Sequence, residues 1–443
     1  MNLWRSDAVK KDDRKSAVLQ TPIESALTSW YDRPLSDWWC VFCWLVATLP
    51  ILVPTRLFGA LSTDDAFESV FSTWAVAHGH LSCTFPPGTP PGDPGIAPLY
   101  PLFSGGIAAL FRIGHRVAFP SLAALGPHCE SAVAVMDHWS IQSGALLPTL
   151  RIGYLTWLVL IAGLVAFLRA SGLGRTRWEP AALLLAVSAP PTFMALSEDF
   201  HPQDLLAMGL VLAALACSLR DRWAWAGGLL GLAVTSQQFA LLVLGPLIVV
   251  APQYRRVRCV ATAIGTGALI VLPMLAFTSG RALRAIIIGS GNTPSIGGTV
   301  LWEFHIHGPL LVGLSRVLPI MLSVALAWWA LRRLGPAVLE PVPLTALVTA
   351  SLSLRLLLED NLFAYYFMPL TVFLIVLTAI RHRIDWWLPA WLFLTVLAFS
   401  KLPSVGSLAI QSIPSWFWQV VLLTFVVPLA VKPLVQFDQE GPH

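Results

Sequence analysis

From Trp38 onward, long apolar runs alternate with short polar breaks, and the lengths of those runs decide the element type. A helix needs about 20 residues to cross a bilayer, and only helices or closed barrels satisfy their own backbone groups inside hydrocarbon. The runs 38–57, 147–168, 179–197, 204–219, 259–277, 308–331, 342–358, 362–380, 386–400 and 415–432 meet or approach that length. The stretches 99–135 and 224–252 are too long or too interrupted for one span and are expected to form two short or half-crossing helices each. The pattern predicts an all-α polytopic membrane protein with about 12–14 transmembrane helices.

Composition agrees: of 443 residues 56% are hydrophobic and only 12% charged, which excludes an ordinary soluble domain. The net charge of +4 comes mostly from Arg-rich turns between apolar runs, so it speaks of orientation and not of nucleic-acid binding. The first 37 residues mix both charge signs, have no apolar core of signal-peptide length, and read as a cytoplasmic tail; 433–443 form a second tail. Six cysteines show no metal-ligand grouping, and Cys40 and Cys43 sit at helical spacing inside an apolar run. Neither a metal nor a cofactor is expected.

Lysine and arginine in short loops stay on the cytoplasmic side. The breaks "LRASGLGRTRW", "LRDRW", "PQYRRVR", "LRRLG" and "IRHRID" are all basic. With these and both termini cytoplasmic, 224–252 must enter and leave on one side, turning near "TSQQF". Outside then fall the first loop at 59–98, a long loop at 278–307, and the turns "MDHWS", "LSEDFHPQD", "TSQQF" and "LLLEDNLFAYY". These breaks hold Asp64, Asp65, Glu68, Asp137, His138, Glu198, Asp199, His201, Gln203, Asp204, Gln237, Gln238, Glu303, His305, His307, Glu359, Asp360 and Asn361. Outer loops lacking basic residues would explain any one of them, but such a gathering at a membrane surface points to a polar site on the extracytoplasmic face.

The first outer loop begins "STDDAFESVF". Its apolar spacing suits a short amphipathic helix along the interface, with Thr63 or Asp64 as N-cap and acids in the first turn. Capping accounts for one aspartate more readily than for two. The stretch "CTFPPGTPPGDPGIAPLYPLF" then returns the chain to the membrane. Cys83 and Cys129 both fall where a disulfide is permitted, and their pairing stays open.

The order of first span, acidic pair, helix ending "WAVAHGHL" and return reading "APLYPLFSGG" resembles the start of GT-C superfamily glycosyltransferases. More closely it resembles the bacterial polyprenol-phosphate-mannose-dependent mannosyltransferases, the glycosyltransferase 87 group. The stretch from "HPQDLLAMGL" to "LIVVAP" and the late "EDNLFAYYFMPL" are similar to that group as well. The resemblance implies a GT-C-like domain over 38–432 and transfer of mannose or a related sugar from a polyprenyl-phosphate donor to an envelope lipid or glycan, with inversion. It also implies a loop carboxylate, Asp64 or Asp65, as general base. Where the group often has a Gly-Gln pair this chain has His201-Pro202-Gln203, and where it often has a lysine this chain reads "TSQQF".

Arginine suits the donor phosphate because its planar fork pairs with two oxygens. Arg355 is the first candidate, followed within three turns by Tyr365 and Tyr366, then Arg151 and Arg56, although snorkelling explains an arginine near a helix end equally well. Sugar or acceptor contacts are assigned to Glu68, His201, Gln203, Asp204, Gln237, His305, His307 and Asp360. A transporter or lipid flippase and a non-catalytic scaffold of the same fold are the competing readings; the transporter would call for related halves, which the chain does not display. Membrane lipid is a further expected partner, nucleic acid is not, and protein partners are left open.

Overall fold

A computed structural model describes residues 29–52, 64–85, 97–113, 117–126, 129–197, 200–278, 280–281, 308–359, 364–384, 387–399 and 415–436. Among them there is no strand, only one isolated bridge between Pro34 and Thr176. The helices that matter here are α1 (Asp37–Leu52), α2 (Asp64–Ala77), α3 (Leu99–Leu110), α4 (Ala132–Gln142), α5 (Leu146–Gly153), α6 (Leu155–Ala170), α7 (Trp178–Ser188) and α8 (Pro190–Ser197). They continue as α9 (Pro202–Leu219), α10 (Trp223–Ser236), α11 (Leu241–Val250), α12 (Gln253–Thr278), α13 (Gly308–Leu334), α14 (Pro341–Leu358), α15 (Phe367–Ile380), α16 (Trp387–Phe399), α17 (Ser415–Val421) and α18 (Val427–Gln436).

Against the expected twelve to fourteen spans, six helical segments of the described residues are long and apolar enough to cross a membrane, and a seventh span results if α7 and α8 count as one bent pair. Five further apolar helices run to 10–17 residues. The 53° bend between α7 and α8 has a local cause. Ala189 precedes Pro190, and the proline ring drives the preceding residue out of the helical region, here to ψ 133°.

Small residues set the helix directions. A Cβ at Gly163 would lie 2.1 Å from the Gly209 carbonyl oxygen, so α6 and α9 touch backbone to backbone. Gly153 meets the Phe200 ring at the start of the same contact, so residue numbers rise together and α6 and α9 run parallel. On α10, Gly227 faces Cys259 and Gly231 faces Ala263 of α12, a constant offset that makes these two parallel as well. The chain between them must therefore come back, and it does so through a break at Gln237 and the 3-10 turn Gln238–Ala240. The interrupted stretch 224–252 is thus an out-and-back pair, as the basic turns on either side of it require.

This arrangement sorts the polar groups by end. The basic turns meet at one end: Asp221 pairs with Arg255, Arg169 with the buried Glu179 at 3.1 Å, and Asp32 accepts from Trp178 and lies 2.6 Å from His382. At the other end the close of α10 meets the start of α9, with Ser236 Oγ donating to the Gln203 carbonyl at 2.9 Å.

The helix expected in the first loop is present as α2, and the protein covers its middle. Ser69 through Ala75 are all buried, two full turns covered on every side. Phe71 packs with Cys83, Leu125, Cys129 and Met136, whereas Val70 and Trp74 pack with Ala108, Ala145 and Ile152. Its hydroxyl face is satisfied from α3, where Thr73 bonds Ser104 at 2.7 Å. A disulfide joins Cys83 to Cys129, which settles the pairing left open above. Arg281 donates to the Phe85 and Ser82 carbonyls beside it.

Candidate functional site

Two polar groups form at the end opposite the basic turns. The first is built on the N-terminus of α9. His201 precedes Pro202, which occupies the first helical turn where a missing N–H costs nothing. Phe200 adopts φ 48°, a left-handed conformation unusual for an aromatic residue, and its ring fills the space left by Gly153. The resulting corner buries His201, Gln203 and Asp204. His201 Nδ1 lies 2.9 Å from the Gln203 side-chain amide and 3.4 Å from Asp204 Oδ2. Gln237, at the break after α10, donates to that same oxygen at 3.1 Å.

The second group is ionic. Glu359, immediately after α14, receives Arg355 Nε on one oxygen at 2.8 Å and faces Arg316 Nη1 on the other at 2.8 Å. All three side chains are buried or nearly so. Two guanidinium groups share this carboxylate in a low-dielectric setting, where charges act strongly on one another. Arg355 Nη1 and Gln238 Nε2 are buried N–H donors without a hydrogen-bond partner among the described residues, and such groups are costly unless something satisfies them. Both residues line a cavity of about 330 Å³, together with Phe239, Ser315, Arg316 and Glu359.

Aromatic rings connect the two groups. The His201 ring stacks on Tyr365 with centroids 3.7 Å apart, Tyr365 meets Tyr366 edge-on at 4.7 Å, and the Arg355 guanidinium lies 4.4 Å from the Tyr366 centroid. A guanidinium over an aromatic face is held by the ring quadrupole, which fixes Arg355 without consuming its N–H donors.

Of the residues singled out from sequence, His201, Gln203, Asp204 and Gln237 come together in one group, and Arg355, Tyr365 and Tyr366 join the other. Asp64 and Asp65 occupy the first turn of α2. Glu68 follows on that helix, half-buried. Arg151 is exposed on α5, and no described contact joins it to Arg355. Arg56, His305, His307 and Asp360 lie outside the described residues, as does Thr63. Sequence reasoning passed over Arg316 and Phe239, and counted Gln238 and Glu359 among the outward polar residues without giving either a role of its own. For Arg316 the signal was present, because a lone ionised residue inside an apolar span is itself the mark of a site. Among the described residues no group of three or more His, Cys, Asp or Glu is placed to hold a metal ion.

Residues 143–358 match the sequence model of glycosyltransferase family 87. That segment belongs to glycosyltransferase family 87. No curated protein and no solved structure matches the chain. The family 87 segment contains the α9 corner, Gln237, Gln238, Arg316 and Arg355, while α2, Glu359 and the tyrosine pair flank it. The family match and the helical fold with its long apolar helices both support a multi-pass membrane glycosyltransferase.

Proposed function

We propose that this glycosyltransferase takes a sugar, mannose or a related hexose, from a polyprenyl-phosphate donor and passes it to an envelope lipid or glycan at the extracytoplasmic face. The observation that carries the reading is the Arg316–Glu359–Arg355 cluster on the wall of a cavity that also holds Gln238. Two guanidinium groups beside the cavity suit a phosphodiester, which brings a single negative charge, and the N–H groups of Arg355 and Gln238 supply donors to its oxygens. The α9 corner, with His201, Gln203, Asp204 and Gln237, offers acceptors and donors to sugar hydroxyls one aromatic pair away.

In the reaction, Asp64 or Asp65 takes the proton of the acceptor hydroxyl as its oxygen attacks the anomeric carbon. The bond from that carbon to the phosphate oxygen breaks, and polyprenyl phosphate departs with the electron pair. A single displacement inverts the anomeric centre. The base must reach the hydroxyl but has little else to do, since the departing phosphate is already a stable anion held by arginine. The outward orientation draws support from the basic turns collecting at the far end and from the Cys83–Cys129 disulfide on the first loop, because such bonds persist in oxidising compartments.

The test is transfer from radiolabelled polyprenyl-phosphate sugars by the purified protein in liposomes. Wild type is expected to transfer, and either Asp64→Asn or Asp65→Asn to lose about 10²–10⁴-fold in kcat, the usual share of a general base. Undiminished transfer in both variants removes the base. Movement of lipid or solute without any transfer replaces the whole reading with a transporter.

A further inference from the structure

The cavity beside Arg316 and Arg355 has a charged floor and greasy walls. Val234 of α10, Leu241 and Leu242 of α11, and Val317, Pro319 and Ile320 of α13 complete its lining. One of these wall residues is not interior at all: Val317 is 53% exposed. It belongs to a bare apolar stripe on α13 formed by Leu310, Val317, Met321 and Trp328, whose spacing keeps them on one face of the helix. In a membrane-spanning chain a bare apolar stripe of this kind suits hydrocarbon, since its side chains are more than half exposed on the protein. In the most apolar stretch of the span Gly313–Leu339, which holds most of α13, 28% is buried, against 78% for α14.

These facts combine at one point. Arg316 is turned toward Glu359 at the floor, and its neighbour Val317 faces outward with the lipid stripe. The cavity therefore passes from a polar end to the hydrocarbon side over a single residue step of α13. Pro319, inside the helix, removes one backbone N–H from the ladder and bends helices that carry it, which suits an edge that must leave room.

We propose that the cavity is a lateral portal between α13 and the α10–α11 pair, where the hydrocarbon chain of the lipid phosphate leaves its bound phosphate and runs out along Val317 into the membrane. The portal rests on the donor reading above and adds the place and direction of the chain. The wall residues named are apolar, so recognition there is by chain length and apolar area.

Two measurements test the portal. In the first, a polyprenyl phosphate bearing a diazirine in its proximal isoprene units is photolysed with the full-length protein in liposomes, and the labelled peptides are mapped by mass spectrometry. Label is expected on the segments containing 241–242 and 317–320, and label confined to other helices overturns the portal whether or not the protein transfers sugar. In the second, Val317→Trp is compared with Met321→Trp, which places the same indole on the same stripe outside the cavity. Val317→Trp is expected to lower the ratio of kcat/KM for long-chain over short-chain donors about tenfold, and Met321→Trp to leave the ratio unchanged. An unchanged ratio in Val317→Trp, or an equal fall in both, contradicts the portal. If wild type transfers from neither donor while the label still falls on α13, the donor reading fails and the lipid site stands.

Discussion

Glu359 decides how the two buried arginines coexist. With its carboxylate between them, Arg316 and Arg355 form a compact cluster; without it, two guanidinium groups face each other away from water. Replacing one member of a buried ionic set with alanine typically costs about 3–5 kcal/mol, so Glu359→Ala is expected to lower the melting temperature of the detergent-purified protein markedly. Glu359→Gln should be milder, since the amide oxygen still accepts from one arginine. A melting temperature for Glu359→Ala equal to wild type would mean the cluster carries no structural weight. On the first loop, burial lowers the pKa of His80 below the ordinary histidine range, and neighbouring His78 adds to that. A histidine depressed in the folded state contributes stability above its unfolded pKa and loses it as pH falls through the folded value. Acidification should therefore loosen the packing of His80 on Phe119, seen as a drop in melting temperature toward pH 5 that His80→Gln reduces. At this scale the sequence was readable where residues cluster locally: Arg355 and the tyrosine pair lie within a few turns, and the α9 corner within four positions. Arg316 showed itself only as a lone charge in an apolar span; its pairing with Glu359 was not readable, because that partner follows another helix and only packing brings them together.

The elements are positioned by glycines whose missing side chains let backbones touch. Gly209 is one of these between α6 and α9, where a Cβ would come within 2.5 Å of the Val159 backbone. Gly209→Val is expected to push the helices apart and to destabilise by about 1–3 kcal/mol or more, the usual cost of overpacking, with a loss of monodisperse protein on size exclusion. Gly265, where a Cβ meets nothing within 4 Å, should accept alanine silently. The positions and breaks of most helices were evident from hydropathy and proline, including the turn near "TSQQF". The burial of α2 was not. Its sequence alternates small polar and apolar residues in a way that suits an interface, and only the hydroxyl contacts from α3 and the disulfide-linked turn show why both faces are covered.

For the whole molecule, one end of the bundle carries the basic turns and the other carries the site. If the orientation is as proposed, single cysteines placed at Arg222 and Arg383 should resist a membrane-impermeant thiol reagent in intact cells, and a cysteine at Glu198 should react. Labelling of Arg222→Cys from outside would reverse the molecule. The Cys83–Cys129 bond gives an independent check, as the protein should migrate faster on non-reducing gels and lose that shift in Cys83→Ser. The arrangement of ends was legible from the positive breaks alone, because charge bias needs no tertiary contact to be read. What it leads to was less so: the cavity beside Arg316 and Arg355 lies between α10, α11, α13 and α14, four helices whose joint geometry no local pattern encodes.

The central claim is that Arg316 and Arg355 hold the phosphate of a lipid-linked sugar. Its most direct measurement is the donor KM and kcat of Arg355→Lys beside wild type in proteoliposomes, since lysine keeps the charge but loses the planar fork that serves Glu359 and the cavity together. The account predicts a donor KM raised by about tenfold or more with a smaller change in kcat. A donor KM equal to that of wild type, in protein shown to be folded, would contradict it.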